Sequence, residues 1–171
     1  MRKLNSLQHL FEVEIIDIYD AERQILTAMP KMIERVDHKA LRTVLESHLK
    51  ETGEQVQRLE RVLEILDLRP ETRFCATMQA ILREGMDLLD ESGSPAVLDA
   101  ACIAVAHMIE NYEIGAYSML TALSRLDYPP GVFSLLCASE QEERDADEEL
   151  FEVGEAGIFA AAMAPTLLEA D

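Results

Sequence analysis

From Leu7 onward, apolar residues return every three or four positions. Leu7, Phe11, Ile18, Ile25 and Met29 form one stripe, which predicts a helix capped by Ser6. Pro30 interrupts it, but Met32 and Ile33 hold the phase, so a kink and about one more turn are expected, ending near Asp37. Leu41, Val44, Leu45, Leu59, Val62 and Leu66 predict a second helix from about Lys39 to Leu66. A third long run, Val97 to Leu126, carries Leu98, Cys102, Val105, Ile109, Tyr112, Ala116 and Leu120 on one face. A fourth, from Val132 to about Gly154, carries Val132, Leu136, Ser139, Ala146 and Leu150. Between the second and third the chain changes character: a loop at Arg69-Pro70-Glu71-Thr72, a short helix from Phe74 to Leu89, and a second loop from Glu91 to Pro95. The joins are therefore short near Asp37, long in the middle, and short at Tyr128-Pro129-Pro130-Gly131. That order predicts an all-α, ferritin-like four-helix bundle with one long crossover. An alanine-rich tail from Gly157 to Leu168 predicts a short fifth helix, packed on the bundle or at a subunit contact. The chain reads as one domain over 1–171, with a four-helix core at about 5–154 and a C-terminal helix at about 155–168.

Acidic residues break into these stripes. Glu14 and Glu22 lie about 40° either side of Ile18, whereas Glu12 and Asp17 fall well off the stripe. The middle of the second stripe is polar, with His48, Glu51, Thr52 and Gln55, and Glu54 toward the flank. Gly53 sits mid-helix, where it is expected to admit close helix approach. The run Ile109-Glu110-Asn111-Tyr112-Glu113 puts Glu113 on the apolar face and Glu110 at its edge, with His107 pointing away. In the fourth helix Glu143 is central and Asp147 lies one turn on, while Glu142, Asp145, Glu148 and Glu149 are expected to form a solvated acidic face. A buried ionised carboxylate is costly unless it is paired or bound to a metal.

Register adds to this. Glu22 lies about fifteen residues before the first turn and Glu51 about fourteen after it. Glu113 and Glu143 lie about fifteen either side of the second turn. In antiparallel hairpins equal distance means equal height, so Glu51 and Glu143 are expected to face each other as bridging ligands, with Glu22 and Glu113 level with them. Such convergence is what a dimetal carboxylate centre needs. The expected ligands are Glu22, Glu51, Gln55, Glu110, Glu113, Glu143 and Asp147. Gln55 and Asp147 stand where such bundles usually place the histidine of Glu-x-x-His. His48 is on the stripe, but a lone core histidine is more often a hydrogen-bonded structural residue, and it is left outside the set. An oxygen-rich set favours iron or manganese over copper or zinc. No catalytic residue is singled out.

Composition narrows the partners. Hydrophobic residues make up 49% of the chain, which argues against disorder. A net charge of −18 argues against nucleic acid or an anionic membrane, both of which need a basic surface. No segment is apolar for long enough to span a bilayer, and Met1-Arg2-Lys3 is not followed by a signal-peptide core. Cys75, Cys102 and Cys137 are widely spaced without CxxC, which suits reduced thiols in a cytoplasmic protein. Cys102 and Cys137 are read as small buried hydrophobes.

The residues also carry a resemblance. Phe11, Asp17, Tyr19, Asp20-Ala21-Glu22 and Gln24, then Ala28-Met29-Pro30-Lys31-Met32, resemble the opening helix of the YciF-like family of bacterial ferritin-like proteins. His48-Leu49-Lys50-Glu51-Thr52, Gln55 and Arg58-Leu59-Glu60 resemble its second helix. Cys75, Met78 and Glu84-Gly85 resemble its crossover, Asp99-Ala100-Ala101 and Glu110-Asn111-Tyr112-Glu113-Ile114 its third long helix, and Glu142-Glu143 with Asp147 its fourth. The resemblance covers roughly Asn5 to Val153. It implies a homodimer with a rubrerythrin-like dimetal site, associated with bacterial stress responses. The chain departs from the family at Asn111, usually histidine, and at His107, usually glutamine. The function expected is a dimetal protein reacting with oxygen or peroxide, with Tyr112 or Tyr19 near the site. The alternatives are a metal-binding protein with little turnover and a metal-free helical dimer.

Overall fold

The structure is a computed structural model that describes residues 4–69 and 73–163. Its element order is α1 (Leu7–Arg35), α2 (Lys39–Ile65), α3 (Ala76–Leu89), α4 (Pro95–Asp127) and α5 (Pro130–Val153), then a π turn (Gly154–Ile158) and α6 (Phe159–Met163). Ser6 accepts a hydrogen bond from the His9 amide at 3.0 Å and so caps α1. The helix runs on through Pro30 for one more turn. Ser94 caps α4, with Pro95 in its first turn, where a missing N–H costs nothing.

Helix α1 packs on α2 and α4, and α5 packs on the same two, which closes a ring of four. The crossover helix α3 lies against α1 and α4. This is the ferritin-like bundle that the join lengths predict. Leu7, the first residue of the first stripe, is 58% exposed, while Phe11, Ile18, Ile25 and Met29 are buried.

Polar contacts fix the ends. Asp99 of α4 is buried and accepts from the backbone N–H groups of Asp37 and His38 at 2.9 and 3.1 Å, so it holds the α1–α2 join and the residue that caps α2. The start of α3 is pinned by Asp20, which accepts from the Cys75 amide at 2.8 Å. Cys75 and Cys102 are buried, but Cys137 is only partly so, which limits the expectation of two buried thiols to one of the pair. Past α5, the described part of the tail packs against α4; the expected helix beyond 163 lies outside the described residues.

The close helix approach falls at Gly85, not at Gly53. A Cβ on Gly85 would stand 2.4 Å from Val105 Cγ1, so α3 meets α4 through a bare backbone. A Cβ on Gly53 would meet nothing within 4 Å. The two glycines should therefore respond oppositely to alanine. Gly53→Ala gains helix propensity and stabilises by about 1 kcal/mol. Gly85→Ala has the same gain but overpacks against the stiff, buried Val105, for a net loss of about 1–2 kcal/mol. Thermal melts of the two variants should move in opposite directions; a parallel shift would contradict this packing.

Candidate metal centre

Each of the four ring helices sends polar groups inward at one level. Their spacing makes this unavoidable: His48, Thr52 and Gln55 of α2 repeat at four and three residues, as do Glu110 and Glu113 of α4 at three. Glu22 of α1, Thr52, Gln55, Glu113 and Glu143 of α5 are fully buried, with Glu110 at 1% and His48 at 3% exposure. One ligand atom from each of His48, Glu110, Glu113 and Glu143 lies within 4.8 Å of the others. His48 Nε2 is 3.3 Å from Glu110 Oε1.

These groups are poorly satisfied. Among the described residues, the buried side-chain polar atoms without a hydrogen-bond partner are Glu22 Oε2, both His48 nitrogens, Gln55 Oε1, Glu110 Oε2, both Glu113 oxygens, Glu143 Oε2 and, elsewhere, Thr121 Oγ1 and Tyr128 OH. Leaving a buried polar atom unpaired costs about 1–3 kcal/mol, and here nearly all such atoms converge on one place. Tyr117 donates to Glu22, and the Gln55 amide donates to Glu143.

Electrostatics shows the same stress. Burial pushes Glu22 up to about 7, against the pull of the Tyr117 hydroxyl. Burial pushes Glu110 up to about 8. Glu113 is held well above the usual carboxylate range by burial and then by Glu22, Glu143 and Glu110. Glu143 is held there by burial and then by Glu22 and Glu110. Burial draws His48 down to about 4, so its imidazole is neutral at neutral pH. Neutral imidazole and clustered carboxylates are ligands for a divalent cation, and a cation would satisfy the unpaired atoms. The group could hold a metal ion.

A profile of the family described as a domain of unknown function, DUF892, matches residues 6–163. The chain belongs to this family. Among relatives of this DUF892 protein, Protein YciF of Escherichia coli (strain K12) is 29% identical over 149 residues, covering 86% of this chain and 89% of its own. The crystal structure of the E. coli stress protein YciF superposes with a TM-score of 0.86 at 27% identity, covering 91% of this chain and 99% of that one. YcfI, a candidate structural protein from Rhodopseudomonas palustris, gives 0.84 at 33% identity, over 88% and 96%. A protein from Xanthomonas campestris gives 0.69 at 22% identity, over 89% and 92%, and shares the fold.

Not every residue singled out in this DUF892 sequence joins the group. Glu110, Glu113 and Glu143 do, and Glu22 is the charge that Glu113 feels most. Glu51 is not among the converging ligands and does not face Glu143 as a buried bridge. It is half-buried, raised by burial and then by Glu142, Glu149 and Glu54. From α2 it is His48 whose nitrogen lies among the converging carboxylates. Asp147 is partly exposed, and its carboxylate lies 2.5 Å from His107 Nδ1. His107 therefore does not stand free of the site residues. Gln55 is fully buried beside Glu143, with its carbonyl oxygen unpartnered.

Neither expected tyrosine bonds to the group. Tyr19 donates to Glu60 at 3.0 Å, and Tyr112 donates to Asp17 at 2.9 Å. Tyr117 does so instead, one turn beyond Glu113, and that spacing was the available signal. Glu142 is no solvated acid either: Arg58 grips both its oxygens, at 2.6 and 2.5 Å.

Proposed function

We propose that this protein is a dimetal-carboxylate member of its family, holding iron or manganese and acting in oxidative or general stress through reaction with oxygen or peroxide. The observation that supports this most is the convergence of unpartnered buried ligand atoms from four helices at one level. The stress role rests on the stress protein YciF, which this chain resembles over nearly its whole length.

His48, Glu110, Glu113 and Glu143 would hold the metal, and Glu22 beside Glu113 extends the set toward a second ion. Bound iron or manganese would supply one-electron chemistry toward oxygen or peroxide. The chain's own groups do the rest. Glu113, buried with neither oxygen hydrogen-bonded, would offer both oxygens to bound metal. Neutral His48 offers a nitrogen lone pair without first losing a proton. Tyr117 orients Glu22 through its hydroxyl. Buried apolar residues one turn away on each helix, among them Ile18, Ile25, Leu45, Leu59, Ile109 and Ala146, keep bulk water from the ligands. The homodimer implied by the resemblance belongs to this reading, and light scattering tests it.

Elemental analysis of protein purified without added metal, then reconstituted anaerobically with Fe(II) or Mn(II), tests the proposal. About two equivalents per chain are expected, as in a two-metal site, with loss of binding in His48→Ala and Glu113→Ala. Peroxide consumption by the loaded protein then separates turnover from storage. No uptake after reconstitution would leave a metal-free bundle whose core carboxyls are protonated.

A further inference from the structure

On the α2–α5 side of the cluster a chain of hydrogen bonds runs outward from Glu143. The Gln55 side-chain NH₂ donates to Glu143 and also to Glu142 Oε2 at 3.2 Å. Glu142 is clamped by Arg58 through both guanidinium ends, and Arg58 donates further to Ser139 at 3.0 Å. Gln55 and Ser139 are fully buried, and Arg58 is only 18% exposed, so the chain has little room to rearrange.

Direction matters in this chain. A carboxylate gripped at both oxygens by a guanidinium is an acceptor and nothing else. Glu142 therefore requires Gln55 to present its NH₂ end. An amide has two hydrogens there, and the second falls to Glu143. One Glu143 oxygen is thereby engaged, and the other, Oε2, is left without a partner in the cluster. Gln55 on its own could turn over and offer its carbonyl instead; Arg58, acting through Glu142, removes that choice.

We propose that Arg58, Glu142 and Gln55 are positioning residues that preset Glu143 as a metal ligand, fixing which of its oxygens faces the ion. This inference rests on the metal-binding reading above. It makes a prediction opposite in sign to simple charge. Arg58 is a cation near a cation site, and through space its removal should tighten binding. If Arg58 acts by positioning, its removal should weaken binding. Outer hydrogen-bond partners of metal ligands typically contribute about 10–100-fold in affinity.

The test is anaerobic calorimetric titration with Co(II), read together with the visible spectrum of the bound ion. The proteins are wild type, Arg58→Lys, Arg58→Gln and the double variant Arg58→Gln/Glu142→Gln, with Glu148→Gln on the exposed side of α5 as control. Arg58→Lys keeps the charge but loses the two-pronged grip. The double variant removes one charge of each sign. Positioning predicts Co(II) binding about 10–100-fold weaker in all three Arg58 variants, with an altered spectrum and near wild-type behaviour in the control. Charge alone predicts wild-type affinity for Arg58→Lys and the double variant, and tighter binding for Arg58→Gln; that result overturns the inference while leaving the metal site standing. Wild-type protein that takes up no Co(II) overturns the metal-binding reading, and this one with it. Should the double variant fail to fold, Arg58→Lys decides by itself.

Discussion

Metal-free protein should melt at a higher temperature near pH 5 than near pH 8, against the usual expectation for a chain rich in carboxylates. The sign follows from linkage. Glu22 at about 7, Glu110 at about 8, and the raised Glu113 and Glu143 all hold protons more tightly when folded than when unfolded. The folded state then binds more protons between the unfolded value of 4.5 and the folded values. The slope of stability with pH is negative in that window, so the contribution is full below it and lost as pH rises through the folded values. His48 acts the other way: drawn down to about 4, it favours the fold above its unfolded 6.5 and disfavours it as pH falls. Four carboxyls outweigh one imidazole. Divalent metal should show the opposite trend, because the ligands must shed protons to bind it and its affinity grows with pH. Calorimetric scans with and without Mn(II) across this range check both trends. A metal-free melting temperature that climbs steadily toward pH 8 would contradict the cluster as described.

Replacing a ligand should make the empty protein sturdier. Glu113 has no hydrogen-bond partner for either oxygen, and it is pressed by Glu22, Glu143 and Glu110. Glutamine in its place has nearly the same shape, cannot ionise, and brings an NH₂ that can donate to a neighbouring carboxylate. A carboxyl held well above its unfolded value must take up a proton to fold at neutral pH, and each pH unit of that shift costs about 1.4 kcal/mol. For a chain of this size, one kcal/mol is worth about 2–4 °C. Glu113→Gln should therefore melt several degrees higher than wild type without metal at neutral pH, with a flatter pH profile. The same change should erase the response to metal, which at a hundredfold excess over the dissociation constant is about 2.7 kcal/mol in the parent. The reversal of rank order on adding Mn(II) is the measurement of interest. A variant less stable than wild type in the absence of metal would show that Glu113 is well satisfied in solution.

Phase along a helix proved more legible than facing across the bundle. The stripes located α1, α2, α4 and α5 to within two residues at nearly every end, because buried faces must repeat at helical spacing. The same phase pointed inward for Glu22, Glu113 and Glu143, which the structure buries completely. Distance from a turn gives height, not direction, and Glu51 shows the difference: it is only half-buried and is not among the converging ligand atoms. His48 lies in the same stripe, where a lone core histidine reads as structural; the three carboxylates that give it another meaning sit on α4 and α5, and only the assembled bundle brings them near it. Glu142 reads as a surface acid because its own helix turns it outward. Nothing local to α5 reveals that an arginine on α2 reaches over to hold it. Gly53 and Gly85 are alike in sequence, each a lone glycine within a helix; whether another backbone lies opposite is a tertiary fact.

The cluster draws on positions from Glu22 to Glu143, and α5 is the last of the ring helices to be made. While the chain is being synthesised, the segment through α4 can bring together Glu22, His48, Glu110 and Glu113, but it lacks the fourth wall and Glu143. Exposed on that side, the same ligands stay hydrated, and the repulsion that the finished core imposes is absent. Completion of α5 is the step that both creates the electrostatic burden and closes the cage able to relieve it. The order of translation therefore puts completion of the cluster after its other three walls exist, and any metal uptake would follow that step.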